Sequence, residues 1–200
     1  MKCLNNGCFR MLLCGGLGLL WGMTAYGQAR AAADRTAEIS VFGGGSFYKP
    51  DYGLAGQPAY DFGADLTWFL HRSYLAPSLE LRGVVSPKGT SVGENTYSAG
   101  LKVQHRYGRV VPYADFLMGA GTIKFTNPQY QYGRGYYTSD NSKVYSFGGG
   151  VDVDIAWHFS AKGDFQYSHW DTGGNVTYTP VAYTGGVVYH IPFGDRYSSK

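Results

Sequence analysis

From residue 36 onward the chain alternates between apolar and polar positions. In YDFGADLTWFLH (60–71), Tyr60, Phe62, Ala64, Leu66, Trp68 and Leu70 fall on one parity, and Asp61, Gly63, Asp65, Thr67, Phe69 and His71 on the other. Successive side chains of an extended strand point to opposite faces, so this segment predicts a strand with one apolar and one mixed polar face. In 75–85, Leu75, Leu79, Leu81 and Val85 oppose Ser78, Glu80 and Arg82. In 97–107, Tyr97, Ala99, Leu101 and Val103 oppose Ser98, Lys102, Gln104 and Arg106. In 112–121, Ala114, Phe116, Met118 and Ala120 oppose Asp115, and in 161–170, Phe165 and Tyr167 oppose Lys162, Asp164, Gln166 and Ser168. With AEISVFGGGSFY (37–48), FGGGVDVDIAWHF (147–159, within a strand over 145–159) and VAYTGGVVYHIPF (181–193), the pattern predicts eight strands.

The breaks between them alternate in length. PDYGLAGQP, SPKGTSVGE, a stretch near 123–142 and DTGGNVT follow the odd strands, whereas only HRSY, YGR and a turn near Ser160 follow the even ones. Long connections on one side and tight turns on the other mark a membrane barrel. The predicted fold is therefore all-β: an eight-stranded antiparallel up-and-down transmembrane β-barrel over 36–193, apolar toward lipid and polar toward its lumen. Closing the sheet pairs every backbone donor and acceptor, as hydrocarbon requires.

The first 29 residues read differently. Lys2 and Arg10 precede the apolar run MLLCGGLGLLWGM (11–23), and small residues follow it, which predicts a secretory signal cleaved near 27 or 29 and export through the Sec pathway. Cys3, Cys8 and Cys14 all lie there, so the mature chain is expected to carry no disulfide and no thiol chemistry. Leu13 directly before Cys14, and the short spacing from Arg10, argue against a lipid anchor. Removing Lys2 and Arg10 from 17 basic residues leaves 15 against 14 acids, with no basic run, and nucleic-acid binding is not expected.

The alternation assigns charges to the lumen: Asp61, Asp65, Glu80, Asp115, Asp152, Asp154 and Asp164 against Arg82, Lys102, Arg106 and Lys162. Eight strands enclose a space just wide enough for side chains, and an unpaired buried charge is costly, so a salt-bridged polar core is predicted. Lys102 and Lys162 are candidate partners for Asp152 and Asp154. A metal site at Asp152, Asp154 and His158 is the competing reading. Inward side chains about 7 Å apart along a strand converge poorly on one ion, so no metal or cofactor is expected. The glycine clusters at 43–45, 119/121, 148–150 and 185–186 precede no helical pattern, which favours kinks and close packing over phosphate loops. In the longest external connection, Tyr130, Tyr132, Arg134, Tyr136 and Tyr137 fit either strands prolonged beyond the membrane with aromatic pairs or an adhesive, ligand-contacting patch.

Taken together, the leader, the eight alternating segments, PYADFLMGAG in the fifth strand and the closing TGGVVYHI resemble the small outer-membrane β-barrel proteins of the OmpA/OmpX/opacity-protein type. Thr184, Gly186, Tyr189 and Ile191 match that family's barrel-assembly signal. GDRYSSK, a short tail over 194–200, follows Phe193, where the family usually ends on an aromatic residue. The resemblance implies a monomeric, non-enzymatic barrel in the cell outer membrane, in contact with its lipid and lipopolysaccharide. It would be delivered by periplasmic chaperones and the barrel-assembly machinery, with a structural or surface-contact role and with or without a narrow pore. Two other readings stay open. One is a soluble periplasmic or secreted lipocalin-like barrel, with its apolar faces inside. The other is a lipid-modifying enzyme, because His158-Phe159-Ser160 is similar to the H-x-S of lipid A deacylases, although Ala161 stands where those enzymes carry asparagine.

Overall fold

A computed structural model describes residues 35–51, 56–70, 73–86, 92–131, 135–171 and 177–195. The expected leader, residues 196–200 of the expected tail, His71, Tyr132 and Arg134 lie outside the described residues.

Among the described residues nine strands form in chain order: β1 (Arg35–Lys49), β2 (Gln57–Trp68), β3 (Leu75–Val85), β4 (Val92–His105), β5 (Val110–Gln131), β6 (Gly135–Ala156), β7 (Phe159–Asp171), β8 (Thr177–Tyr178) and β9 (Val181–Asp195). Each of β1 to β7 pairs antiparallel with the next, and β9 pairs with both β7 and β1, which closes the ring. The two-residue β8 only extends the end of β7. The result is a closed eight-stranded antiparallel barrel. No helix among the described residues is long and apolar enough to cross a membrane.

One rim carries tight turns. Between β4 and β5 the backbone reverses through Gly108 and Arg109, with Tyr107 and Val110 exchanging both backbone hydrogen bonds at 2.7 and 2.9 Å. Gly108 sits at φ 59°, where a side chain would be strained and glycine is not. At the other rim, the backbone N–H and hydroxyl of Thr179 donate to Asp51 Oδ2 at 3.0 and 2.6 Å and hold this exposed carboxyl below its usual range. That contact ties the β1–β2 connection to the β8–β9 connection.

Several boundaries differ from the sequence reading: β2 and β4 begin inside the expected connections, at Gln57 and Val92, and β9 continues into the expected tail to Asp195. The stretch near 123–142 is not a loop: β5 and β6 run on as a paired hairpin to Gln131 and from Gly135, with Tyr130 opposite Tyr136 and a register shift between Lys124 and Gln129. The side chains of Tyr130, Tyr136 and Tyr137 lie outside the described set. The β6–β7 turn falls at Trp157 and His158 rather than near Ser160, because a second shift between Asp154 and Ala156 changes the parity at the end of β6.

Radial polarity is inverted relative to a water-soluble domain. Ile39, Val41, Leu79, Leu81, Leu101, Met118, Phe147, Val187 and Ile191 are exposed on the outside, whereas Glu38, Asp61, Asp65, Glu80, Arg82, Lys102, Asp152 and Lys162 are buried inside. A lipocalin-like barrel needs the reverse, so the soluble reading fails on this point. Exposed aromatics crowd both ends of the outer surface, with Phe47, Tyr60, Tyr97, Tyr145 and Tyr183 toward one rim and Trp68, Tyr107, Trp157 and Tyr189 toward the other. Amphipathic rings take these positions at membrane–water interfaces.

Candidate functional site

Among the described residues, the strands bring chemistry-bearing side chains together in number in the lumen. Arg82, projecting inward from β3, occupies its centre. Its Nη1 lies 2.6 Å from Asp164 on β7 and 3.7 Å from Asp61 on β2. Its Nη2 lies 2.8 Å from Glu80 on β3 and 3.9 Å from Asp115 on β5. A planar guanidinium with five donors can serve several carboxylates at once, and here it links four strands across the barrel.

Lys102 and Lys162 form a second layer. Lys102 Nζ lies 3.1 Å from Asp65, 3.8 Å from Asp152 and 3.9 Å from Glu80. Lys162 Nζ lies 3.8 Å from the other oxygen of Asp152. Both ammonium groups also sit over the ring of Tyr113, at 4.4 and 4.1 Å from its centroid, and Lys162 sits 4.6 Å from that of Phe42. The Tyr113 hydroxyl donates to Asp164 at 2.7 Å, and the Gln166 amide donates to Asp115 at 2.9 and 3.0 Å.

Toward the tight-turn rim, Arg106 pairs with Asp154. The Ser160 hydroxyl donates to Asp154 at 2.7 Å and also lies 2.8 Å from His190 Nε2. The other ring nitrogen of His190 faces Glu38 at 2.8 Å and the Ser40 hydroxyl at 3.0 Å. At the opposite mouth two apolar clusters fill the lumen: Ile123, Val144 and Trp170 with Tyr178, and Tyr48, Ala59 and Ala182 with Val84.

Several solved structures align over almost their whole length, three of them as follows. The attachment invasion locus protein Ail of Yersinia pestis is 15% identical over 78% of this chain and 99% of its own, with a TM-score of 0.56. Neisserial surface protein A is 13% identical over 78% of this chain and 97% of its own, at 0.50. A major outer membrane protein from Thermus thermophilus is 14% identical over 78% of this chain and 99% of its own, also at 0.50. This is the fold of the small outer-membrane β-barrels. No family model matches the sequence, and no curated protein matches it.

Within that outer-membrane barrel fold, the eleven charged residues assigned to the lumen by alternation, from Asp61 to Asp164, all project inward. The pairing differs in detail. Asp154 meets Arg106 and not a lysine, and Asp152 takes both Lys102 and Lys162. His158 Nδ1 faces the backbone carbonyl of His190 at 3.0 Å. The sequence reading overlooked Glu38, Glu94, Tyr113 and His190, which are buried in the lumen. Glu38, Tyr113 and His190 share the parity of the inward residues on their strands, whereas Glu94 falls in SPKGTSVGE, expected as a connection, and enters the lumen because β4 begins at Val92. Of the matched assembly residues, Tyr189 and Ile191 face outward, while Thr184 is buried inside and hydrogen-bonds Ser46 and Asp61 at 2.9 and 3.0 Å.

The Arg106–Asp154 pair can be measured by itself. Asp154→Ala should lower unfolding stability by about 1–3 kcal/mol, the cost of leaving buried polar partners unmet. Arg106→Ala in the same background should cost much less than it does alone, with a coupling of about 0.5–3 kcal/mol in a urea-unfolding double-mutant cycle. Strict additivity would mean that the two groups do not interact in the membrane-embedded protein.

Proposed function

We propose that this chain is an integral outer-membrane barrel whose lumen is sealed, and that it acts without catalysis through the surface it presents outside the membrane. The observation that carries this reading is the filling of the lumen at three depths: Glu38, His190, Ser160, Asp154 and Arg106 near one rim, the Arg82 and two-lysine layers in the middle, and apolar clusters around Trp170 and Tyr48 at the other mouth. Glu80 and Lys102, at most 1% exposed in mid-lumen, support a sealed lumen. The barrel is a monomer held in lipid and lipopolysaccharide, delivered by periplasmic chaperones and inserted by the barrel-assembly machinery. Its β5–β6 hairpin, 22 residues per strand against 11–15 in the other barrel strands, is the element that reaches partners.

A non-enzymatic role is supported by the surroundings of Ser160. Its hydroxyl, which a lipid-modifying H-x-S reading would use as nucleophile, is fully buried in the lumen and donates to a carboxylate, away from the acyl chains outside.

Heat-modifiability and conductance test the proposal together. Protein extracted from the outer membrane should shift in gel mobility on boiling, and should give no channel steps in a planar bilayer. A protein that fractionates as soluble, or one that conducts ions steadily, overturns the corresponding half of the reading.

A further inference from the structure

We propose that the register in which the barrel closes is written on the lumen face of the seam between β1 and β9, and that Thr184 and Gly186 belong to this closing code while Tyr189 and Ile191 face other partners. The proposal rests on the outer-membrane reading above and concerns how the chain completes that barrel.

The seam joins the first strand to the last, the two most distant in sequence. Its inward rungs are Ser40 opposite His190, Phe42 opposite Val188, Gly44 opposite Gly186, Ser46 opposite Thr184 and Tyr48 opposite Ala182. Four of the five carry a specific cross-seam contact. Ser40 reaches His190 Nδ1 at 3.0 Å, and Glu38, one rung lower, reaches the same nitrogen at 2.8 Å. Ser46 and Thr184 join hydroxyl to hydroxyl at 2.9 Å, and Thr184 donates onward to Asp61. Tyr48 and Ala182 pack in one apolar cluster.

Gly44 and Gly186 interlock by absence of side chains. A Cβ on Gly44 would collide with the carbonyl oxygen of Gly185 and come 2.7 Å from Gly186 Cα. A Cβ on Gly186 would come 2.6 Å from the carbonyl oxygen of Gly43 and 3.1 Å from Gly44 Cα. Both obstacles are backbone and cannot rotate away. Gly45 and Gly185, the next rung on the outer face, have open space where a Cβ would go.

Such a seam rejects the wrong alignment. A slip of one residue would turn one strand's polar face to lipid. A slip of two keeps the faces but sets Gly186 against Phe42 or Ser46, and separates His190 from Ser40 and Thr184 from Ser46. Only one register satisfies the glycine contact and both hydrogen-bonded rungs, so pairing of the last strand with the first is selected at closure and does not depend on any outside template. Tyr189 and Ile191, with side chains on the lipid side of β9, add nothing to this inner fit.

Refolding separates the two roles. Protein purified from the outer membrane, unfolded in urea and diluted into phospholipid vesicles holding no other protein, is scored by the heat-modifiable band. Gly44→Ala and Gly186→Ala should each lower the folded fraction by about tenfold, as overpacking against fixed backbone does, whereas Gly45→Ala and Gly185→Ala should refold like wild type. Tyr189→Ala with Ile191→Ala loses the Tyr189–Phe159 ring contact but leaves every inner rung in place, so it should refold far better than either lumen glycine variant, yet be assembled poorly in cells. Ser46→Cys with Thr184→Cys should cross-link in the folded band, and Ser46→Cys with Ala182→Cys should not. Normal refolding of Gly44→Ala and Gly186→Ala overturns the proposal, as does equal loss in all four glycine variants or a slipped cross-link. Failure of wild type itself to give a heat-modifiable band would instead overturn the outer-membrane reading.

Discussion

Arg82→Met should lower the unfolding free energy of the barrel by about 3–5 kcal/mol, the cost of removing one partner from a buried ionic network. Arg82 is 4% exposed and serves Asp61, Glu80, Asp115 and Asp164 at once. Tyr113 and Gln166 still donate to Asp164 and Asp115 in the variant, but Glu80 loses its 2.8 Å partner and keeps only Lys102 at 3.9 Å. Several carboxylates then share one dry space without their central cation. Adding Glu80→Gln and Asp164→Asn should return part of the loss, because amides need no counter-charge. Urea unfolding in vesicles, followed by tryptophan fluorescence, measures both steps. A loss below about 1 kcal/mol would place Arg82 among weakly coupled, hydrated charges.

Leu101→Arg should cost about 2–4 kcal/mol, the penalty for a cation on the lipid side of a barrel near mid-membrane. Leu101 is 65% exposed on the outer wall, between Leu79 and Phe116 on the neighbouring strands, so its guanidinium would sit in hydrocarbon. The contrast is with the lumen face. Thr67→Ser keeps the hydroxyl that meets Ser78 at 2.7 Å and should stay within about 1 kcal/mol. Equal sensitivity of the two faces would contradict the lipid-facing assignment of the outer wall.

Which residues face the lumen was legible in the sequence because the two-residue period is obeyed wherever one face meets lipid and the other does not. β3 was legible to its ends, Leu75 and Val85, for that reason. The period weakens once strands leave the membrane, since both faces then meet water. TNPQYQ at the end of β5 and YYTSDNS at the start of β6 are mixed on both parities, and only cross-strand pairing, such as Tyr130 with Tyr136, reveals them as a continued hairpin. Partners across the lumen were less legible than faces. Whether Asp154 meets Arg106 or a lysine depends on the stagger of strands around the ring and on the shift between Asp154 and Ala156, and alternation carries neither. Glu38 and His190 could have been read from parity, but that they share one hydrogen bond follows from the β1–β9 register alone.

Among the described residues, the lumen holds nine acidic side chains against four lysines and arginines. Folding therefore sorts charge radially, with an acidic excess along the axis inside a wall of apolar side chains. The apolar wall keeps that negative charge out of reach of the membrane around it.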